Sequence, residues 1–171
     1  MNRYTQVYTG DGKGKTTAAL GLALRAVGAG LRVYLGQFIK GGEYSEIQVL
    51  RARFPEVTVE QYGAGRFILR TPSPADLEAA RDGLARLRAA MCSGQYEVVI
   101  ADEANTAMAV GLFPEEDLLS LMSNKPATVE LVLTGRGAGA RVRERADLVT
   151  EMTCIKHYFE AGVPGRPGIE S

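Results

Sequence analysis

Short runs rich in β-branched and aromatic residues alternate along this chain with longer segments whose apolar positions return every three or four residues. Arg3 to Thr9 (RYTQVYT) carries such residues at alternate positions, which predicts a strand. Lys15 to Gly30 is rich in helix formers, is apolar almost all round apart from Arg25, and ends at glycines suited to a C-terminal cap. It is expected as a buried helix lying on a sheet. Leu31 to Phe38 reads as the next strand, Glu43 to Phe54 as a helix and Glu56 to Tyr62 as a third strand. Thr71 to Met91 opens with Ser73 as N-cap, Pro74 at the first helical position and Asp76 completing a capping box. Leu77, Ala80, Leu84, Leu87 and Met91 then form one apolar stripe. Strands at Tyr96 to Asp102, Thr128 to Gly135 and Asp147 to Met152 complete the pattern, separated by helix-like Leu112 to Met122 and Ala138 to Ala146.

Apolar strands alternating with helices require crossover connections, hence a mostly parallel sheet covered on both faces. The expected architecture is α/β: three layers, a mostly parallel six-stranded sheet with helices on both faces, which the glycine- and lysine-rich TGDGKGKTT after the first strand makes P-loop NTPase-like (RecA-like). Residues 1–171 read as a single domain, of which 162–171 (GVPGRPGIES) hold too much proline and glycine for regular structure and are expected to wrap the surface or close over the crevice. In such sheets ligands bind beyond the carboxyl ends of the strands. Function is therefore sought at the strand ends.

The first strand runs into TGDGKGKTT, Thr9 to Thr17, directly before the alanine- and leucine-rich helix. A strand, a glycine-rich turn and a helix N-terminus make a nest of backbone N–H groups that suits phosphate. Gly10, Asp11, Gly12, Lys13, Gly14, Lys15, Thr16 and Thr17 are the candidate nucleotide-binding residues. Lys15 is expected to neutralise phosphate charge and the Thr16 hydroxyl to ligate Mg²⁺, the roles those positions hold in GxxxxGK[ST]. The first glycine of that motif falls on Thr9, so the strict pattern fails by one residue. A glycine-rich turn capping a core helix is the plainer alternative; the agreement of strand, helix and GKTT weighs against it.

Three more strand ends carry chemistry. EVVIADE ends in Asp102 and Glu103, which are expected to bring carboxylate to the metal. An acidic pair after a strand more often marks a helix N-terminus, but after a phosphate loop the metal reading wins. In LTGRG, Thr134, Gly135 and Arg136 stand where a hydroxyl and a guanidinium reach phosphate oxygens, although a solvated arginine after a turn fits equally well. QFIKGG, Gln37 to Gly42, adds Lys40 as a weaker candidate. The single histidine, His157, has no serine or cysteine motif to serve and reads as a positioning or surface group.

Composition narrows the classes. The 171 residues suffice for one core, and 20 basic residues balance 20 acidic ones, so the overall basic field that gathers nucleic acid is absent. No leader pattern and no membrane-length apolar run stand in the sequence, which makes the cytoplasm the expected location, with no membrane partner. Cys92 and Cys154 are far apart and form no CxxC pair; they read as reduced and buried.

TGDGKGKTTAALGLALRAVGAG, VYLGQFIKGG, VVIADEANTA, LVLTGRGAGA, ADLVTEM and KHYFEAGVPGRPGIE, in that order over nearly the whole chain, resemble the cob(I)alamin (corrinoid) adenosyltransferases of the CobA/CobO/BtuR type. The resemblance implies that ATP, bound with Mg²⁺, donates its 5′-deoxyadenosyl group to the Co(I) of a reduced corrinoid, cobalamin or cobyrinic acid a,c-diamide, and that triphosphate leaves intact. It implies a nucleotide lying along the loop in the reverse of the usual direction, triphosphate on Gly12 to Thr17, metal on Thr16 and Glu103, and Arg136 assisting the phosphates. Lys15 and Arg136 then become the catalytic pair that steadies the leaving group. A homodimer and an electron-donor flavoprotein are the implied partners. The family's Phe-Thr-Trp segment is replaced here by GAGRFILR, Gly63 to Arg70, in a chain without tryptophan, and Phe67 is the nearest aromatic candidate for the corrinoid. The chain opens almost at its first strand, without the extension that covers substrate in longer members, so the partner subunit or the tail is expected to act as lid. Two other readings stand beside this one: a P-loop kinase or ATPase that cleaves the terminal phosphate, and a non-catalytic nucleotide- or corrinoid-binding module.

Overall fold

The structure is a computed structural model and describes residues 2–42, 44–63 and 71–170. Six strands form one sheet: β1 (Thr5–Thr9), β2 (Val33–Gln37), β3 (Val57–Gln61), β4 (Val98–Asp102), β5 (Glu130–Thr134) and β6 (Leu148–Glu151). Their spatial order is β3-β2-β4-β5-β1-β6, and every pairing is parallel. Helices α1 (Lys15–Gly28), α2 (Ser45–Arg53), α3 (Pro74–Cys92), α4 (Ala104–Ala109), α5 (Glu115–Ser123) and α6 (Ala140–Arg145) make the crossovers.

The central strands are buried on both faces, as a parallel sheet between helices demands. On one face Ala19, Ala23 and Ala26 of α1 and Ile47 of α2 pack on Val33, Leu35, Val98, Ile100 and Val132. On the other, Ala80, Leu84, Leu87 and Met91 of α3, Ala104 and Ala107 of α4, Leu118 and Leu121 of α5, and Val142 of α6 pack on Val7, Tyr34, Val99, Ala101, Leu131 and Leu133. Successive β4 residues thus serve opposite cores, which is the two-residue period of a strand. The result is the three-layer α/β, P-loop NTPase-like fold that the alternation and the glycine-rich loop together imply. The α3 start is also as its sequence predicts: Ser73 accepts from the Asp76 amide, and the Asp76 carboxylate accepts from the Ser73 amide.

Several expectations are corrected. Helix α1 is not buried all round: Leu24 is 58% exposed, and Thr17, Gly21 and Gly28 face outward with it, because only the alanine face meets the sheet. Leu77 is exposed, since the first turn of α3 buries nothing before Ala80. Cys92 and Cys154 are free, as read, but exposed rather than buried. Cys92 follows the buried Met91 and is turned outward by the roughly 100° step between helical neighbours. Helix α4, six residues long, is too short for its sequence to show a period.

One feature of the order positions the site. Strand β5 lies between β1, which leads into the glycine-rich loop, and β4, which ends in Asp102. The ends of these three strands, with that of β2 beside β4, are neighbours along one edge.

Candidate functional site at the strand ends

The glycine-rich loop runs from the end of β1 to Lys15, the first residue of α1. Gly10 and Gly14 have φ of 90° and 122°, which side chains rarely adopt. The loop rests on the chain just past β6: Gly12 N donates to Met152 O at 2.7 Å, and Met152 N donates to Thr9 O at 2.8 Å. A Cβ on Gly10 or Gly12 would stand 2.5 or 2.7 Å from the Met152 carbonyl oxygen, so both positions need glycine for this close approach. Lys15 curls back over the loop and donates to Gly10 O at 2.6 Å and Gly12 O at 2.7 Å. Burial, with Arg136 nearby, pulls its ammonium pKa down. A polyanion seated in the loop would reverse that penalty.

A second cluster surrounds Asp102, which is fully buried at the end of β4. Its Oδ1 accepts from Thr16 Oγ1 at 2.9 Å and Thr134 Oγ1 at 2.6 Å; its Oδ2 accepts from Gln37 Nε2 and Lys40 Nζ, both at 3.0 Å. Four donors converge on one carboxylate from three strand ends and the segments that follow them: Thr16 after β1, Gln37 and Lys40 at and after the end of β2, and Thr134 at the end of β5. Such a charge is tolerated in the interior only when it is hydrogen-bonded and paired in this way. Glu103 follows in the left-handed region, φ 59°, and the turn is braced by its amide donating to Thr134 Oγ1 at 3.0 Å. Its carboxylate accepts from Thr106 Oγ1 at 2.5 Å, and Thr106 Oγ1 in turn accepts from Arg136 N at 2.9 Å.

The predicted residues therefore fall into distinct places. Lys15, Thr16, Lys40, Asp102 and Glu103 come together. Thr134, expected to offer its hydroxyl to phosphate, is fully buried and uses it on Asp102 and Glu103. Arg136 is exposed and spans toward the loop, its guanidinium 3.5 Å from Asp11 O and 4.0 Å from the Asp11 carboxylate. The Gly135 turn presses against α4, where an added Cβ would lie 2.6 Å from Thr106 N. Thr17 is exposed on the outer face of α1. Lys13 points away from the Asp102 cluster and is pinned by the tail: it donates to Ile169 O at 2.6 Å and lies 3.3 Å from the Tyr158 hydroxyl and 3.4 Å from the Glu170 carboxylate. Arg166 and Tyr158 hold that carboxylate well below its usual range. The tail thus closes on the loop while carrying no helix or strand in residues 162–170. His157 accepts from Phe159 N through Nδ1 and caps the 3₁₀ turn Tyr158–Ala161, a positioning role. Phe67 lies outside the described residues.

Sequence reasoning did not single out Gln37, Thr106, Met152 or Glu170. Only Gln37 had a usable signal, as the last residue of a strand whose end carries Lys40. An apolar cavity of about 540 Å³, lined by Met108, Leu112, Phe113 and Pro114 among others, opens beside the turn before α6. Its one carboxylate, Glu115, already accepts from the amides of Arg141 and Val142, so the cavity offers surface rather than chemistry. Among the described residues no group of three or more His, Cys, Asp or Glu is placed to hold a metal. A site of hydroxyl plus two carboxylates still suits Mg²⁺, which keeps much of its shell from water and phosphate.

A parallel three-layer sheet whose first strand feeds a glycine-rich loop, with Lys15, Thr16 and a strand-end acid beside it, defines an α/β protein of the P-loop class. Comparison with known proteins narrows the class to a family. The model of the ATP:corrinoid adenosyltransferase BtuR/CobO/CobP family matches residues 1–171. The chain is 38% identical over 169 residues to the corrinoid adenosyltransferase of Pseudomonas aeruginosa, covering 96% of this chain and 81% of that protein. It is 34% identical to those of Escherichia coli K12 and Salmonella typhimurium, covering 96% of this chain and 83% of each. The chain belongs to the ATP:corrinoid adenosyltransferase family.

Proposed function

We propose that this protein transfers the 5′-deoxyadenosyl group of ATP to the Co(I) centre of a reduced corrinoid. The electron pair on cobalt forms the Co–C5′ bond, the C5′–O bond breaks, and its electrons leave on triphosphate. Cobalt supplies its own nucleophile, so the protein's task is electrostatic. What carries the reading is the convergence of Lys15 and Thr16 with Asp102 and Glu103 at one edge of the sheet, in a chain that matches the family from end to end.

Lys15 and the loop amides bind the triphosphate, and preorganised donors of this kind stabilise the charge that grows on a leaving group. Arg136, poised across the loop from Asp11, adds a second cation on the open side. Thr16, Asp102 and Glu103 would hold Mg²⁺, which when bound neutralises further phosphate charge. The corrinoid is cobalamin or its precursor cobyrinic acid a,c-diamide, and an external flavoprotein supplies the electron that makes Co(I). We further propose a cytoplasmic homodimer. No helix among the described residues is long and apolar enough to cross a membrane, and β6 is a sheet edge on which Leu148 and Val149 are 43% and 42% exposed.

The test is anaerobic mixing of chemically reduced cobalamin, ATP, Mg²⁺ and protein. Alkylcobalamin absorbance with one inorganic triphosphate per turnover and no ADP is expected. Stoichiometric ADP would reject adenosyl transfer in favour of terminal phosphate cleavage.

A further inference from the structure

The side chains expected to hold Mg²⁺ already surround a cation belonging to the protein. Lys40 Nζ lies 3.0 Å from Asp102 Oδ2, 3.1 Å from Thr16 Oγ1 and 3.9 Å from Glu103 Oε1. Its side chain is 21% exposed, against a carboxylate that is wholly buried. A compact ammonium and a small divalent ion seek the same oxygen donors, and two positive charges repel strongly at the spacing one pocket allows. Lys40 and the metal are therefore competitors for one position.

The backbone is bent to place Lys40 there. Phe38 N donates to Asp102 O at 2.9 Å, extending the β2–β4 ladder by one bond. The next residue, Ile39, stands at φ 63°, in the left-handed region that a β-branched side chain seldom enters. Lys40 N closes the tight turn on Phe38 O at 2.5 Å, and Lys40 O accepts from Gly63 N at 3.2 Å. Gly63 sits so close that a Cβ there would lie 2.1 Å from Ile39 O. Strain of this kind persists only where neighbours over-determine it. Here the neighbours are Gly63 on one side and the Lys40–Asp102 ion pair on the other.

We propose that Lys40 is a built-in counter-cation: in nucleotide-free protein its ammonium stands in for the divalent ion against Asp102, Thr16 and Glu103, and the ion enters only by displacing it. This rests on the reading that those three residues hold the metal. The empty site then needs no unpaired buried carboxylate, and metal without nucleotide binds weakly. Metal arriving with a triphosphate meets less opposition, because the displaced ammonium gains a polyanion to face. Metal and nucleotide binding are coupled through one side chain, and release of the ion pair removes one of the two constraints that hold Ile39 in its strained conformation.

Mn²⁺ binding to the nucleotide-free protein, followed by the electron paramagnetic resonance of the free ion, tests this. Lys40→Met is expected to bind one Mn²⁺ per chain at least tenfold more tightly than wild type, and Lys40→Arg, which keeps the charge, to bind no more tightly than wild type. ATP should tighten Mn²⁺ binding by a larger factor in wild type than in Lys40→Met, which has lost the competitor. Thermal unfolding supplies a second readout: Mn²⁺ should raise the midpoint of Lys40→Met more than that of wild type. If the methionine variant does not fold, Lys40→Gln, a neutral donor to Asp102, is read the same way. Equal or weaker Mn²⁺ binding by the neutral variant overturns the role of Lys40 while leaving the metal site standing. Failure of wild type to bind Mn²⁺ with ATP present, or undiminished binding by Asp102→Asn, overturns the metal reading and this inference with it.

Discussion

Replacing Thr134 by valine keeps the shape of a fully buried side chain and removes one hydroxyl that joins two parts of the site. That hydroxyl donates to Asp102 Oδ1 at 2.6 Å and accepts from Glu103 N at 3.0 Å. Loss of a hydrogen bond to a charged group costs about 1.5–3 kcal/mol, and a backbone N–H left without a partner about 1–3 kcal/mol. The two overlap, because Asp102 keeps Thr16, Gln37 and Lys40 as donors, so a destabilisation of about 3 kcal/mol is expected. A domain of ordinary stability survives that loss. Catalysis should suffer separately, because Glu103 is held at φ 59° by the same hydroxyl and is free to leave that conformation without it. A drift that weakens transition-state charge stabilisation by about 1.4 kcal/mol slows turnover about tenfold. Urea unfolding followed by circular dichroism measures the first effect and alkylcobalamin formation the second. Thr134→Ser is the control: it retains the hydroxyl, loses one methyl group worth about 1 kcal/mol, and should retain turnover. If Thr134→Val unfolds at the wild-type urea concentration and turns over at the wild-type rate, the bridge does not work as described.

Lys15→Ala is expected to lower turnover by about 10² to 10³-fold, the cost of losing one preorganised charge donor, while the unfolding midpoint stays near wild type; unchanged turnover removes Lys15 from the chemistry. Glu103→Ala should raise the Mg²⁺ concentration needed for half-maximal activity several-fold, and an identical metal titration would count against ligation by Glu103. The buried Tyr34 and Tyr62 hydroxyls, 2.6 Å apart, give a pH dependence. Burial, and for Tyr34 also the bond to Tyr62, raises both above their ordinary value of 10.0, with Tyr62 pushed up to about 12. Folded-state values above the unfolded one mean that the stability the neutral pair contributes is complete below pH 10 and is lost as pH rises from there through about 12. Urea midpoints measured from pH 8 to 12 should fall more gently in the double variant Tyr34→Phe, Tyr62→Phe than in wild type, and parallel slopes would refute the assignment.

What the chain declares by itself is local. Alternation at period two in Arg3 to Thr9, the apolar spacing from Ala80 to Met91, and the Ser73–Asp76 box each depend on neighbours a few residues away, and each is found in the structure. The loop from Gly10 to Lys15 is legible for the same reason, since its glycines and lysine lie between a strand and a helix that announce themselves. Strand order is different. Nothing in the residues of β5 states that it lies between β1 and β4, yet that placement is what turns the Thr134 hydroxyl inward to Asp102 rather than outward to phosphate. The same holds for Lys40 on Asp102, Met152 beneath Gly12, and Glu170 against Lys13, contacts that span 62, 140 and 157 positions of sequence. Side-chain chemistry and periodicity set which surfaces each segment must bury and which strand ends can carry a charge. Only the closed sheet, by choosing which ends become neighbours, decided whether a given hydroxyl or ammonium faces a ligand or another residue of the protein.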